Sequence, residues 1–217
     1  MIRRSGFKDK NWSPFLANGS ILWSYTISPH IICENDIDLR EHVEGYTLDC
    51  VLCVKKFATD TSAILVKQQV RLSALGCLDP VFHLNGVPAH KLIGESFYLG
   101  VMHAICKLPS VFDLRGTEES RRAYVHFFYK MDASPPYTIL DVSYPLVLSR
   151  GRGVGPWLGP EEKVLVAFVT GFQYEVGSRA ELLISYGESD IYSRFKTMTV
   201  RNALDLFDEP NHRSSAT

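Results

Sequence analysis

No stretch of this 217-residue chain approaches the roughly 20 consecutive apolar residues that cross a bilayer as a helix, so a helical membrane span is not expected. No run of basic residues is longer than the pairs Arg3-Arg4 and Arg121-Arg122, and the formal net charge is -1. Without an extended basic face the chain cannot neutralise a phosphate backbone, which argues against nucleic acid as a partner. The opening MIRRSGFKDK carries positive charge but no apolar segment behind it, so no secretion signal is read there and localisation stays open. Cysteine is sparse: five residues, an odd number without the dense spacing of a disulfide scaffold, suggest a reducing compartment or burial as small apolar side chains. Cys50 and Cys53 have the spacing of half a zinc site, but nothing completes four ligands, and neither a metal nor a cofactor is expected. Gly151-Arg-Gly-Val-Gly155 is followed by Pro156 instead of a helix pattern and reads as a loop, and no G-x-S-x-G elbow occurs.

Helical periodicity is scarce as well. Short alternating or continuous apolar runs, bounded by Gly, Pro, Asn and Asp, recur along the chain and mark an all-β protein. Strands are expected at 20–27, 30–36, 46–57, 62–72, 96–105, 122–131, 137–148, 163–176, 181–190 and 193–200. Val200, Ala203, Leu204 and Phe207 follow helical spacing until Pro210, predicting a short C-terminal helix. A loosely repeated turn–strand–break–strand pattern fits sheets arranged radially, with a β-sandwich as the alternative. The organisation expected is one β-propeller domain over 1–208 and a disordered polar tail over 209–217.

Three segments carry a family resemblance. They are K-D-K-N-W-S-P-F-x-x-N-G-S-I-L-W-S-Y (8–25), G-V-P-A-H-K-L-I-G-E-S-F-Y-L-G-V-M-H (86–103), and V-A-F-V-T-G-F-Q-Y-E (166–175) followed by E-L-L-I-S-Y-G-E-S-D (181–190). In order and spacing they resemble the five-bladed β-propellers of glycoside hydrolase family 130, the mannoside phosphorylase and β-mannosidase group with its glycosyltransferase-like relatives. The resemblance implies a carbohydrate-active protein that transfers or cleaves a glycosyl group, with a glycan or sugar as partner and phosphate as a candidate co-substrate. About four blades' worth of chain is present, and the family's acid-bearing motif belongs upstream of Lys8, so the ring is expected to be incomplete and the catalytic residue is unassigned. Asp79, in Cys-Leu-Asp-Pro, lies after the first segment and does not take that role. A non-catalytic glycan-binding propeller is the alternative, and open blade edges would favour self-association.

Sugar recognition needs carboxylates and amides for the hydroxyls and aromatic faces for the ring. The candidate binding residues are Lys10, Asn11, His30, His103, Tyr186 and Asp190. Lys10 and Asn11 offer a cation and an amide ahead of Trp12, itself as suited to packing between blades. His30 follows Pro29 at a strand end, and His103 closes an apolar strand. By resemblance Tyr186 lines the channel and Asp190 binds hydroxyls; alone, they read as a core aromatic and a turn aspartate.

Overall fold

The computed structural model describes residues 11–35, 53–107, 122–148, 167–175, 177–178, 180–188 and 192–208. The all-β class holds, with two helices among the described residues. The first sheet is a meander of β1 (Ser13–Ala17), β2 (Ser20–Ile27), β3 (His30–Asn35) and β4 (Cys53–Thr59), each antiparallel to the next. The second contains β5 (Leu78–Leu84), β6 (His90–Lys91), β7 (Phe97–Lys107), β8 (Arg122–Asp132) and β9 (Ile139–Val142) in the order β5-β7-β8-β9, with β6 also paired to β7. The third is the meander β10 (Ala167–Tyr174), β11 (Glu181–Glu188) and β12 (Tyr192–Thr199). The short helix α2 (Val200–Leu204) follows, where the helical spacing placed it, with the Thr199 side chain accepting from the Asn202 N–H.

Strand alternation explains how the sheets stack. Successive residues of a strand face opposite ways, and the middle sheet is apolar on both sides. Tyr98, Met102, Ala104, Val125, Phe127, Tyr129 and Met131 pack with Phe15, Leu22, Ile27 and Ile32 of the first sheet. The alternate residues Phe97, Leu99, Val101 and Phe128 pack with Val169, Phe172, Leu182, Ile184 and Tyr186 of the third. The second sheet is therefore the middle layer of three. Gly100 lies opposite Tyr129 in the β7–β8 ladder, and the phenol ring occupies the space a side chain at 100 would need.

One expected strand is a helix. Residues 62–72, anticipated as extended, form α1 (Ser62–Ala74). Its buried positions Leu65, Gln68 and Leu72 lie at helical spacing, while Val66 and Val70 face solvent. Asp60 starts the helix by accepting from the Ser62 N–H (2.9 Å) and hydroxyl (2.6 Å), and Thr61 donates to the Ile27 carbonyl (2.6 Å). Gln68 then donates to the Val142 carbonyl at 2.7 Å, fixing α1 against β9. The Cys77 N–H returns to the Leu72 carbonyl as the helix ends.

The cysteine expectation is also corrected. Cys77, just before β5, and Cys106, near the end of β7, form a disulfide with Cα atoms 5.1 Å apart. The β5–β7 ladder brings them to adjacent strands, and both are buried. Cys33 is disulfide-bonded too. The Cys50–Cys53 pair lies partly outside the described residues. No described helix is long and apolar enough to cross a membrane. The tail at 209–217 lies outside the described residues.

Candidate functional site

Polar groups gather where the middle sheet meets the third. In the ladders His83 of β5 stands opposite His103 of β7, and His103 opposite His126 of β8, so three imidazoles form one row across three adjacent strands. The ring centroids are 5.5 Å apart for His83–His103 and 5.7 Å for His103–His126. Phe168 of β10 covers the row edge-on, 5.2 Å from His103 and 6.1 Å from His126, and Tyr124 flanks it at 5.4 Å from His103.

A bulge in β10 supplies the row's backbone partners. The register with β11 shifts between Val169 and Gly171, and a bulge turns peptide groups away from the ladder. The Val169 N–H donates to His126 Nε2 at 3.4 Å, and the Val169 carbonyl accepts from Asn85 Nδ2 at 3.1 Å. Asn85 Oδ1 in turn lies 2.9 Å from His103 Nδ1. An amide oxygen only accepts, so His103 carries its proton on Nδ1 and keeps a lone pair on Nε2; His126, accepting at Nε2, is protonated on Nδ1. Burial holds both rings neutral, with pKa values lowered to about 3; for His103 the neighbouring His126 and His83 add to the effect of desolvation. On the same interface His90 Nε2 lies 2.7 Å from the Phe172 carbonyl, binding β6 to β10.

The six candidates divide among several places. His103 is at the centre of the row. Asn11 reaches its neighbourhood through backbone packing: its Cα lies against Gly86, which follows Asn85 and holds the positive φ of 74° that glycine accommodates. His30 lies on the opposite face of the middle sheet. Its Nε2 is 3.2 Å from Ser24 Oγ, in a buried group that includes Ser13 and Tyr129, and desolvation lowers its pKa to about 4. Burial pushes the Tyr129 hydroxyl up to about 12, with the Ser24 and Ser13 hydroxyls beside it. Tyr186 is in the core between the second and third sheets and donates to the Leu148 carbonyl at 2.9 Å. Lys10 and Asp190 lie outside the described residues. Trp12 packs 4.9 Å from Tyr25 and 6.5 Å from Trp23.

Asn85, His83, His126, Tyr124 and Phe168 escaped the sequence reading. So did Glu188, the one buried carboxylate among the described residues, whose Oε2 accepts from Arg194 Nε at 2.9 Å. It shares the inward face of β11 with Leu182, Ile184 and Tyr186. The alternation of ELLISYGE contained that signal, since Glu188 continues the buried parity. Among the described residues no three His, Cys, Asp or Glu side chains are placed to hold a metal ion; the imidazoles of the row lie side by side and do not converge on a point.

No family model, curated protein or solved structure matches this chain.

Proposed function

We propose that the chain is a carbohydrate-active protein, acting in glycosyl transfer or cleavage at the channel of a five-bladed β-propeller. The observation that carries the reading is the row itself: neutral imidazoles in defined tautomers, an amide and aromatic edges gathered at a junction of sheets, the group types that bind sugar hydroxyls and ring faces. Half-buried His83, Tyr124 and Phe168 are the members within reach of a ligand, and His103, His126 and Asn85 hold the arrangement behind them. Support for the propeller comes from antiparallel sheets of sequence-neighbouring strands that pack face to face, as blades do. Self-association through open blade edges is part of the same reading.

A second reading, a glycan binder without turnover, is favoured by one specific observation. The described row contains no carboxylate, and buried Glu188 is committed to Arg194, whereas glycoside cleavage requires a carboxylic acid at the leaving oxygen. Titration calorimetry with mannose and β-linked mannobiose, alongside assays for mannose release and for mannose 1-phosphate formation with added phosphate, separates the cases. Binding that weakens in His83→Ala supports the sugar site, and turnover selects the enzyme. Absence of binding to every mannoside refutes the mannoside reading.

A further inference from the structure

We propose that Asn18 is an N-glycosylation site, occupied in a protein that matures in an oxidising secretory compartment. The first observation is the disulfide between Cys77 and Cys106, together with the bonded state of Cys33. Structural disulfides form and persist in oxidising compartments, the setting in which asparagine in Asn-x-Ser/Thr receives its glycan.

The second observation is how the fold treats the two such triplets in the described residues. Asn11-Trp12-Ser13 is built into the interior: Ser13 is fully buried, Trp12 is half-buried against Tyr25, and the Asn11 backbone abuts Gly86. Asn18-Gly19-Ser20 is exposed at all three positions. It forms the tip of the β1–β2 hairpin, where Ala17 pairs with Ser20 and residues 18 and 19 have φ of 49° and 80°. That two-residue Asn-Gly turn directs its side chains to solvent and leaves room for a bulky substituent.

The third observation concerns what lies beside the tip. Leu16 and Ile21, the next cross-strand pair, are 63% and 54% exposed, and β1 is an edge strand of its sheet. A glycan on Asn18 would stand over this apolar pair and shield it from other molecules, while the outward carbonyls of Pro14 and Leu16 on β1 already accept from the Ala89 N–H and the Tyr98 hydroxyl. In the attachment step the Asn18 Nδ2 attacks C1 of a lipid-diphosphate-linked oligosaccharide. The N–C1 bond forms, the C1–O bond to the diphosphate breaks, the amide loses one proton to the transferase's base, and lipid diphosphate leaves without redox change.

The test is peptide mapping of the native protein from its own cells, with and without N-glycosidase treatment in heavy-oxygen water. The expected result is conversion of residue 18 to labelled aspartate, with asparagine retained at residue 11. In the same cells Ser20→Ala abolishes the glycosidase-sensitive mobility shift, whereas Ser20→Thr retains it; both variants leave the Asn-Gly turn intact. Recovery of unmodified Asn18 from untreated protein overturns the proposal, as does a glycan confined to Asn11. The native-protein map decides the matter even if a Ser20 variant fails to accumulate.

Discussion

Replacing Asn85 with leucine isolates the link between the middle and third sheets. The wild-type side chain makes two buried hydrogen bonds, to His103 Nδ1 and to the Val169 carbonyl, and is itself only 4% exposed. Leucine has similar bulk but no polar atoms, so both partners lose their bond while the space stays filled. An unsatisfied buried polar group costs about 1–3 kcal/mol. Two such losses, partly offset by about 1 kcal/mol from burying the more apolar side chain, give a net destabilisation of about 3 kcal/mol. For a chain of this size that lowers Tm by about 6–12 °C. The assay is thermal unfolding of the purified full chain at pH 8, followed by near-ultraviolet circular dichroism with far-ultraviolet signals as a check on two-state behaviour. The orphaned Nδ1–H also removes the reason for His103 to keep its present tautomer, so nuclear magnetic resonance of the imidazole nitrogens should show His103 shifting toward the Nε2–H form. A Tm change below about 2 °C, with the His103 tautomer unaltered, would refute the account of Asn85 as the connector.

Acid should loosen the fold through its histidines. His103, His126 and His30 have folded pKa values of about 3, 3 and 4, below the usual 6.5, because burial penalises the charged ring. The unfolded chain then binds more protons in the window between those values and 6.5, so stability is fully present above pH 6.5 and is lost as pH falls toward the folded pKa. Linkage gives about 1.4 kcal/mol per histidine at one unit below 6.5, or about 4 kcal/mol for the three; a flat denaturant midpoint between pH 7.5 and 5.5 would contradict their burial as neutral rings. Gly100→Ala places a methyl group against the buried Tyr129 ring and should cost about 1–3 kcal/mol, measured as a lower urea midpoint that Gly100→Ala/Tyr129→Phe does not restore, because the ring itself is the obstacle. Removing the Cys77–Cys106 bridge as a double alanine variant should cost about 3.5 kcal/mol for its 29-residue separation, and reduction of the wild-type chain, which also opens the Cys33 disulfide, should lower its midpoint at least as far.

Much of the strand layout was legible because alternation survives wherever one face of a sheet is polar. SILWSYTI and ELLISYGE became β2 and β11 within two residues of their expected bounds. The segment 62–72 misled because Ile64, Val66 and Val70 are β-branched and the buried stripe of the helix contains a glutamine; local apolar content outweighed the spacing of Leu65, Gln68 and Leu72. β5 was missed for the opposite reason: Pro80 interrupts its pattern, yet the sheet admits it at an edge. His103 could be singled out as a polar end to an apolar strand, but His83 and His126 lie 20 and 23 residues away in sequence. Only ladder register aligns them, and register between distant strands is not written in local spacing. His30 belongs to a different sheet, in β3, and meets the other side of the middle sheet beside Ser24.

Eight successive residues of β7, Phe97 to Ala104, are buried, and they hold the chain's assembly to a definite logic. A layer covered on one side only would still show water a continuous apolar wall, either Leu99, Val101 and Phe128 or Met102, Phe127 and Met131. Synthesis delivers the first sheet before the middle one and the third sheet last, so a nascent or truncated chain ending before β10 exposes the first of those walls. Such a species is a natural client for chaperones and a poor candidate for a freestanding fragment. Its rescue depends on fewer than fifty residues at the C-terminal end of the described chain arriving before another molecule supplies the missing cover.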